Sequence, residues 1–289
     1  MRKRVLICGC GYVGQAVGTR LAAQGHAVFG LRRSADANAS LLAAGITPLN
    51  GDLANPAAVA ALPGPFDWVI NVVSSAHGGE AAYRSAYLES TRNLVRKMAG
   101  APCRFVYTSS TSVYPQTEGE WVTETSAANP TTNTGLVLRQ TETELLAAAS
   151  QDFRPTVLRV AGIYGPDRHH LLSRLLAGHR FGGNAARWLN MVHRDDVAGA
   201  ILLVLESAVS GEVFNVADNE PVQADAFESW LANRLELNLD ALRTEEPAGG
   251  KRGVSNKRVN NRRLREQLGW VPAHPTFREG YESILVKLP

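Results

Sequence analysis

Val5-Leu6-Ile7-Cys8-Gly9-Cys10-Gly11-Tyr12-Val13-Gly14-Gln15-Ala16-Val17-Gly18-Thr19-Arg20-Leu21 carries three signals in a row. Its first four residues are an apolar run, the pattern of a short strand buried on both faces. A glycine-rich turn follows. Val13, Val17 and Leu21 then recur four apart, the stripe of an amphipathic helix that stops at Gly25. Strand, glycine turn and helix at this spacing predict the opening unit of a parallel sheet wrapped by helices.

The same rhythm continues outward. Strands are predicted at Ala27 to Leu31, Ile46 to Leu49, Phe66 to Val73, Phe105 to Ser109 and Thr156 to Val160. Helices are predicted from Asn55-Pro56, where a capping side chain precedes a first-turn proline, over Glu80 to Met98 and over Thr134 to Ala149. After Gly165-Pro166 the alternation changes. Helices near 169–178 and 195–206 flank a loop rich in glycine and arginine, Val213 to Val216 is a short strand, and 223–236 is a helix. A boundary is expected near 165, between a parallel-sheet part over 1–165, to which 190–220 returns, and a remainder mainly over 166–289.

Composition excludes several classes. The 289 residues are 45% hydrophobic and 20% charged, which is ordinary globular usage. No apolar run approaches the ~20 residues of a membrane span. Behind Met1-Arg2-Lys3-Arg4 the apolar run is too short for a secretory leader. Three cysteines make no disulfide framework, which points to the cytoplasm, and a net charge of +3 does not argue for nucleic acid.

Gly9-Cys10-Gly11-Tyr12-Val13-Gly14 is a G-x-G-x-x-G run between strand and helix. Gly9 permits the tight turn, Gly11 lets the backbone approach a pyrophosphate, and Gly14 lets helix pack on strand. Tyr12 and Val13 open the helix whose free N–H groups face the phosphates. At the end of the second strand an NAD site places an acid on the ribose; here Arg32, Arg33 and Ser34 stand there instead. Arginine in that place grips the 2′-phosphate of NADP, so NADP is expected over NAD. Asp52, followed by Leu53, serves either the adenine edge or its own turn. Cys8, Cys10, His169, His170 and His193 lack partners at ligand spacing, and no metal is expected.

These residues resemble the extended short-chain dehydrogenases, the NAD-dependent epimerases and dehydratases of sugar nucleotides. The resemblance rests on the glycine loop, Gly51-Asp52-Leu53, Phe105 to Tyr114, Leu158 to Pro166, Val192 to Ala198, Val213 to Val216 and Leu268 to Pro272. It implies an α/β fold, a doubly wound Rossmann-type parallel sheet with a smaller C-terminal substrate domain. It also implies catalysis by a Ser, a Tyr and a Lys, and Ser110, four residues before Tyr114, matches the Ser. Ser110 reads equally as a strand-end hydroxyl bonding backbone.

The Tyr and Lys do not carry over. Alignment on Pro130 and Glu144-Leu145-Leu146 puts Gly135 and Arg139 in their places. Lysine occurs only at 3, 97, 251, 257 and 287, and no tyrosine has a lysine four residues on. This places the chain near the atypical members. Substitutes for the proton carrier are Tyr83 and Tyr87, on one helix face, and His77, with Tyr87 favoured; each also reads as plain packing or loop. Arg168 and His193 are expected to bind substrate, because five arginines between 165 and 195 face only Asp167 and Asp195.

The expected function is an NADP-dependent oxidoreductase or epimerase on a hydroxylated, anionic, sugar-nucleotide-like substrate, as a possible homodimer through helices 80–98 and 134–149. The rival is a non-catalytic NADP(H) sensor or scaffold.

Overall fold

The computed structural model describes residues 1–75, 79–243 and 255–286. Seven strands form its central sheet: β1 (Arg4–Cys8), β2 (Ala27–Arg32), β3 (Thr47–Asn50), β4 (Trp68–Asn71), β5 (Cys103–Ser110), β6 (Phe153–Val160) and β7 (Glu212–Val216). All pair in parallel, in the order β3-β2-β1-β4-β5-β6-β7. The chain winds outward from β1 to β3, then crosses back to β4 on the other side of β1. Connections above β1 and β4 therefore diverge, and a crevice opens at the carboxyl ends of these two strands.

Period-two alternation sorts the core. Val5 and Ile7 face a cluster containing Val17, Leu21, Leu158, Ile201 and Phe214, while Leu6 and Cys8 face one containing Leu53, Phe66, Leu94, Phe105 and Leu145. Both faces are covered by helices, which is why β1 has no polar residue between Val5 and Cys8. A third cluster, with Leu172, Phe227, Leu231, Phe277 and Tyr281, forms among the elements after Tyr164.

Helix Tyr12–Ala23 buries Val13, Val17 and Leu21 as its stripe requires. Asn55 caps helix Pro56–Ala60, its side chain accepting from the amides of Ala57 and Ala58. The long helix expected over Glu80 to Met98 is present, but residues Arg84–Glu89 form a π turn between α-helical Glu80–Tyr83 and Ser90–Met98. Neither propensity nor periodicity signals such a widened turn, which is found frequently at functional sites. Helix Asn133–Ala147 packs beside it.

Glu212–Val216 does come back to the sheet, as its outer strand beside β6. Its outward edge is occupied: the Asn215 amide donates to Glu124 Oε1 at 2.7 Å, and Asn215 Nδ2 to the carbonyl of Asn260 at 3.1 Å. Helix Arg194–Glu206 lies against Tyr12–Ala23. Among the described residues no helix is long and apolar enough to cross a membrane.

Candidate functional site

A cleft of about 440 Å³ lies at the crevice above β1, β2 and β4. Gly9 and Gly11 form its floor, and Arg32, Arg33, Ser34, Asp52 and Leu53 line one end. Val73, Ser74, Ser75, Ser85, Ala86 and Ser90 line the other. Seven of the ten residues expected to bind cofactor thus share one surface. Tyr12, Val13 and Gly14 do not: Tyr12 turns its hydroxyl to the Pro166 carbonyl, and Val13 and Gly14 are buried beneath the loop.

Gly9 explains the loop. Its φ is +78°, and a Cβ there would lie 2.7 Å from the Val73 Cα. The amides of Gly9 and Cys10 both donate to the Leu31 carbonyl, which ties the loop to β2. Gly14 is equally confined, 2.9 Å from the Gly9 carbonyl. Gly11 is not: a Cβ there meets only the Gly9 carbonyl, at 3.9 Å, so no protein atom requires glycine. An uncrowded glycine on the floor of a cleft, at the start of a helix, suits close approach of a pyrophosphate. Cys10 packs on Gly30, and burial pushes its thiol up to about 12, the behaviour of a small packing residue.

At the β2 end Arg32 is half-buried and Arg33 exposed. Asn50 Nδ2 donates to the Ser34 carbonyl at 2.8 Å, and Ser34 Oγ donates to Asp36 at 3.0 Å. Asp52 Oδ1 accepts from the Ala54 amide at 2.9 Å, so this carboxylate organises its own turn while also lining the cleft.

Ser110 ends β5. Its Oγ accepts from the Ser112 amide at 3.2 Å and starts the short turn Thr111–Val113, which leaves its O–H proton available to donate. Tyr87 sits in the π turn. Its hydroxyl accepts from the Ser75 amide at 3.2 Å, behind the segment that lines the cleft, and its ring lies 5.0 Å from that of Tyr83. Burial raises the Tyr87 pKa, while the Ser75 N–H pulls the other way. Neither Ser110 nor Tyr87 lines the cleft directly. His77 lies outside the described residues.

Position 135 has no room for a side chain: a Cβ on Gly135 would be 2.6 Å from Pro130 Cβ and 2.9 Å from Thr132 Oγ1. Arg139 turns to Glu142, at 3.3 Å. Among the described residues Lys257 is the lysine that meets the loop after Ser110, its Nζ donating to the Tyr114 carbonyl at 3.0 Å and to Ser255 Oγ at 2.9 Å. Burial lowers its pKa to about 8. No local pattern announces this contact, because 143 residues separate the partners.

Arg168 is exposed, with its guanidinium 5.5 Å from the Tyr12 ring centre. His193 is buried, 2% exposed, and its Nδ1 accepts from the Asp195 amide to start helix Arg194–Glu206. The fold also gives it neighbours that spacing did not offer: His193, Asp196 and His274 place ligand-type atoms within 4.8 Å of one another. Asp196 is already engaged there, accepting from the amides of Ala273 and His274 and lying 3.0 Å from His274 Nδ1. That arrangement clamps the 273–274 turn onto the helix.

Comparison with known proteins agrees with this geometry. The sequence profile described as "NAD dependent epimerase/dehydratase family" matches residues 5–217. Protein YeeZ of Escherichia coli strain K12 is 30% identical over 281 residues, covering 94% of this chain and 97% of its own. A solved protein of Methylobacillus flagellatus, titled as an NAD-dependent epimerase/dehydratase, is 30% identical with a TM-score of 0.77, covering 99% of this chain and 98% of its own. UDP-glucuronic acid 4-epimerase from Bacillus cereus, solved with UDP-glucuronic acid and NAD, shares the fold at a TM-score of 0.82 and 17% identity, over 96% of each chain. With its glycine loop, sheet order and cleft in these places, the chain belongs to the NAD dependent epimerase/dehydratase family.

Proposed function

We propose that the protein is an NADP-dependent oxidoreductase or epimerase acting on a hydroxylated, anionic substrate of the nucleotide-sugar kind. The observation that carries the cofactor choice is the β2 end of the cleft, where Arg32 and Arg33 line the wall and no acid stands before Asp36. The glycine floor and the helix start at Tyr12 would hold the pyrophosphate, and Asp52 and Leu53 would flank the adenine. Bound there, NADP supplies hydride transfer. The Bacillus cereus epimerase, with its sugar nucleotide and NAD, supports the substrate class. The first 165 residues then carry the cofactor, helped by the 190–220 segment, and those after 166 mainly the substrate, through the exposed Arg168, with His193 supporting that side from the interior. Three buried thiols suit a reducing cytoplasm. A homodimer would use the groove between helices 80–98 and 133–147, lined by Leu88, Val95 and Leu145.

Charge-assisted bonds contribute about 1.5–3 kcal/mol each, so NADP is expected to bind roughly tenfold or more tightly than NAD. Arg32→Asp should invert that order in a fluorescence titration. Equal dissociation constants in the wild type would end the NADP assignment.

Chemistry then falls to Ser110 and Tyr87. Ser110 has its proton free to hold a substrate oxygen, and Tyr87 has a phenol whose oxygen is fixed by Ser75. With its pKa raised by burial, Tyr87 stays protonated near neutrality, so a step needing the phenolate accelerates only at strongly alkaline pH. A pH–rate profile that loses this limb in Tyr87→Phe, with Ser110→Ala slower at every pH, is the expected result. Full activity in both variants would remove them from the mechanism.

A second reading has its own observation: the chain has no Tyr-x-x-x-Lys, and Gly135 leaves no room for the phenol. A sensor of NADP(H) needs no proton carrier. It would bind NADP⁺ and NADPH with very different affinities and turn over none of a panel of sugar nucleotides.

A further inference from the structure

Tyr12 belongs to the glycine loop, yet its side chain turns toward residues 165–194. Its hydroxyl donates to the Pro166 carbonyl at 2.8 Å. Two guanidiniums stand over its ring, Arg168 at 5.5 Å and Arg194 at 5.1 Å from the centre. Both reach the same aromatic platform from segments 26 residues apart.

The backbone is distorted to make this possible. Gly165 and Arg168 exchange two backbone bonds, each 3.1 Å, around Pro166 and Asp167. Asp167 closes that turn with φ +61°, a left-handed conformation that disfavours a residue with a side chain. Gly165 sits so close that a Cβ would lie 2.7 Å from the Tyr12 hydroxyl. The turn is pinned to the cofactor loop and presents Arg168 beside it.

Two guanidiniums and two carboxylates act on the ring. Asp195 is shared, 2.9 Å from Arg194 Nε and 3.8 Å from Arg20. Asp167 is the other acid that acts on Tyr12. Burial pushes the Tyr12 phenol up to about 12, so the ring stays neutral. Asp195 is thus spent on Arg194 and Arg20, and the Arg168 fork is committed to no acceptor among the described residues. Among the described residues the terminal nitrogens of Arg194 hold no hydrogen-bond acceptor, Nε being engaged by Asp195.

We propose that Arg168 and Arg194, held over Tyr12, form a second phosphate-binding subsite beside the glycine loop. This rests on the dinucleotide reading of the cleft and extends it into residues 165–194. A phosphate there comes either from the cofactor's own pyrophosphate or from a nucleoside diphosphate on the substrate. Forked guanidiniums suit either, because phosphate oxygens accept parallel N–H bonds.

The test is calorimetric titration of the whole chain with inorganic pyrophosphate, with NADP⁺, and with UDP at saturating NADP⁺. Wild type is compared with Arg168→Ala, Arg168→Lys and Arg194→Ala. Arg168 is exposed, so its variants should keep the wild-type melting temperature. We expect each alanine variant to weaken pyrophosphate and one nucleotide about tenfold or more, with partial recovery in Arg168→Lys. Weakening confined to NADP⁺ among the nucleotides supports the subsite and assigns it to the cofactor. Weakening confined to UDP supports it and assigns it to the substrate. Unchanged affinity for all three overturns the subsite. A wild type that binds pyrophosphate but not NADP⁺ defeats the function proposed above, while the pyrophosphate comparison still decides the arginines. A wild type that binds none of the three overturns both.

Discussion

Gly9→Ala is expected to abolish the NADP binding proposed above and to lower the unfolding free energy by about 2–5 kcal/mol. The left-handed backbone at φ +78° becomes unfavourable once a Cβ is present, and that Cβ meets backbone, the Val73 Cα at 2.7 Å, rather than a side chain that could swing aside. β1 and β4 would have to separate at the point where the loop crosses them. Gly11→Ala is the matching control: its Cβ has open space, so stability should stay within about 1 kcal/mol of wild type while cofactor affinity still falls. Urea unfolding together with NADP titration separates the two cases. If Gly11→Ala bound NADP normally, the pyrophosphate would not lie on this floor.

The second large effect concerns a charge pair inside the molecule. Arg159 on β6 and Glu142 on helix Asn133–Ala147 are 3% and 0% exposed, with contacts of 2.7 and 3.1 Å between the guanidinium and the carboxylate. Arg159 also donates to the Tyr114 hydroxyl at 2.9 Å, which donates in turn to Asn215 on β7 at 2.8 Å. Glu142→Gln should destabilise by about 3–5 kcal/mol, because a guanidinium is left in the interior without its counter-charge. Arg159→Met should cost less, since Arg139 remains 3.3 Å from Glu142. The double variant Arg159→Met/Glu142→Leu should recover most of the loss, because two desolvated charges disappear together. Chemical denaturation of the four proteins checks the ordering. A double variant as unstable as Glu142→Gln would show that the hydrogen bonds through Tyr114 and Asn215 dominate.

What was legible in the chain follows from how local each signal is. β1, its turn and helix Tyr12–Ala23 are encoded within a few neighbouring residues, and so is the cap at Asn55-Pro56. Arg32 and Arg33 could be singled out because they stand at the end of the second strand after the glycine turn, a position rule that needs no atomic detail, whereas Asp52 read equally as a turn residue. Ser74, Ser75, Ser85 and Ser90 escaped notice, because a hydroxyl after a strand or on a helix carries no special pattern. Distance in sequence hid the rest. His274 meets Asp196 across 78 residues, and Arg194 and Arg168 come together on the Tyr12 ring. The π turn stayed invisible for a different reason: it moves Tyr83 and Tyr87 by a fraction of a turn, and their rings still meet at 5.0 Å.

The late arrival of β7 bears on how the protein is made. The ribosome releases Phe153–Val160 well before Glu212–Val216, an interval of about 3–10 s at typical elongation rates. During that time an eight-residue parallel edge has no neighbour, and its row of N–H and C=O groups can recruit another nascent chain. Chains arrested between 161 and 211 would keep that edge bare. They should therefore be chaperone clients that go into inclusion bodies, whereas chains continuing beyond 216 can close it for themselves.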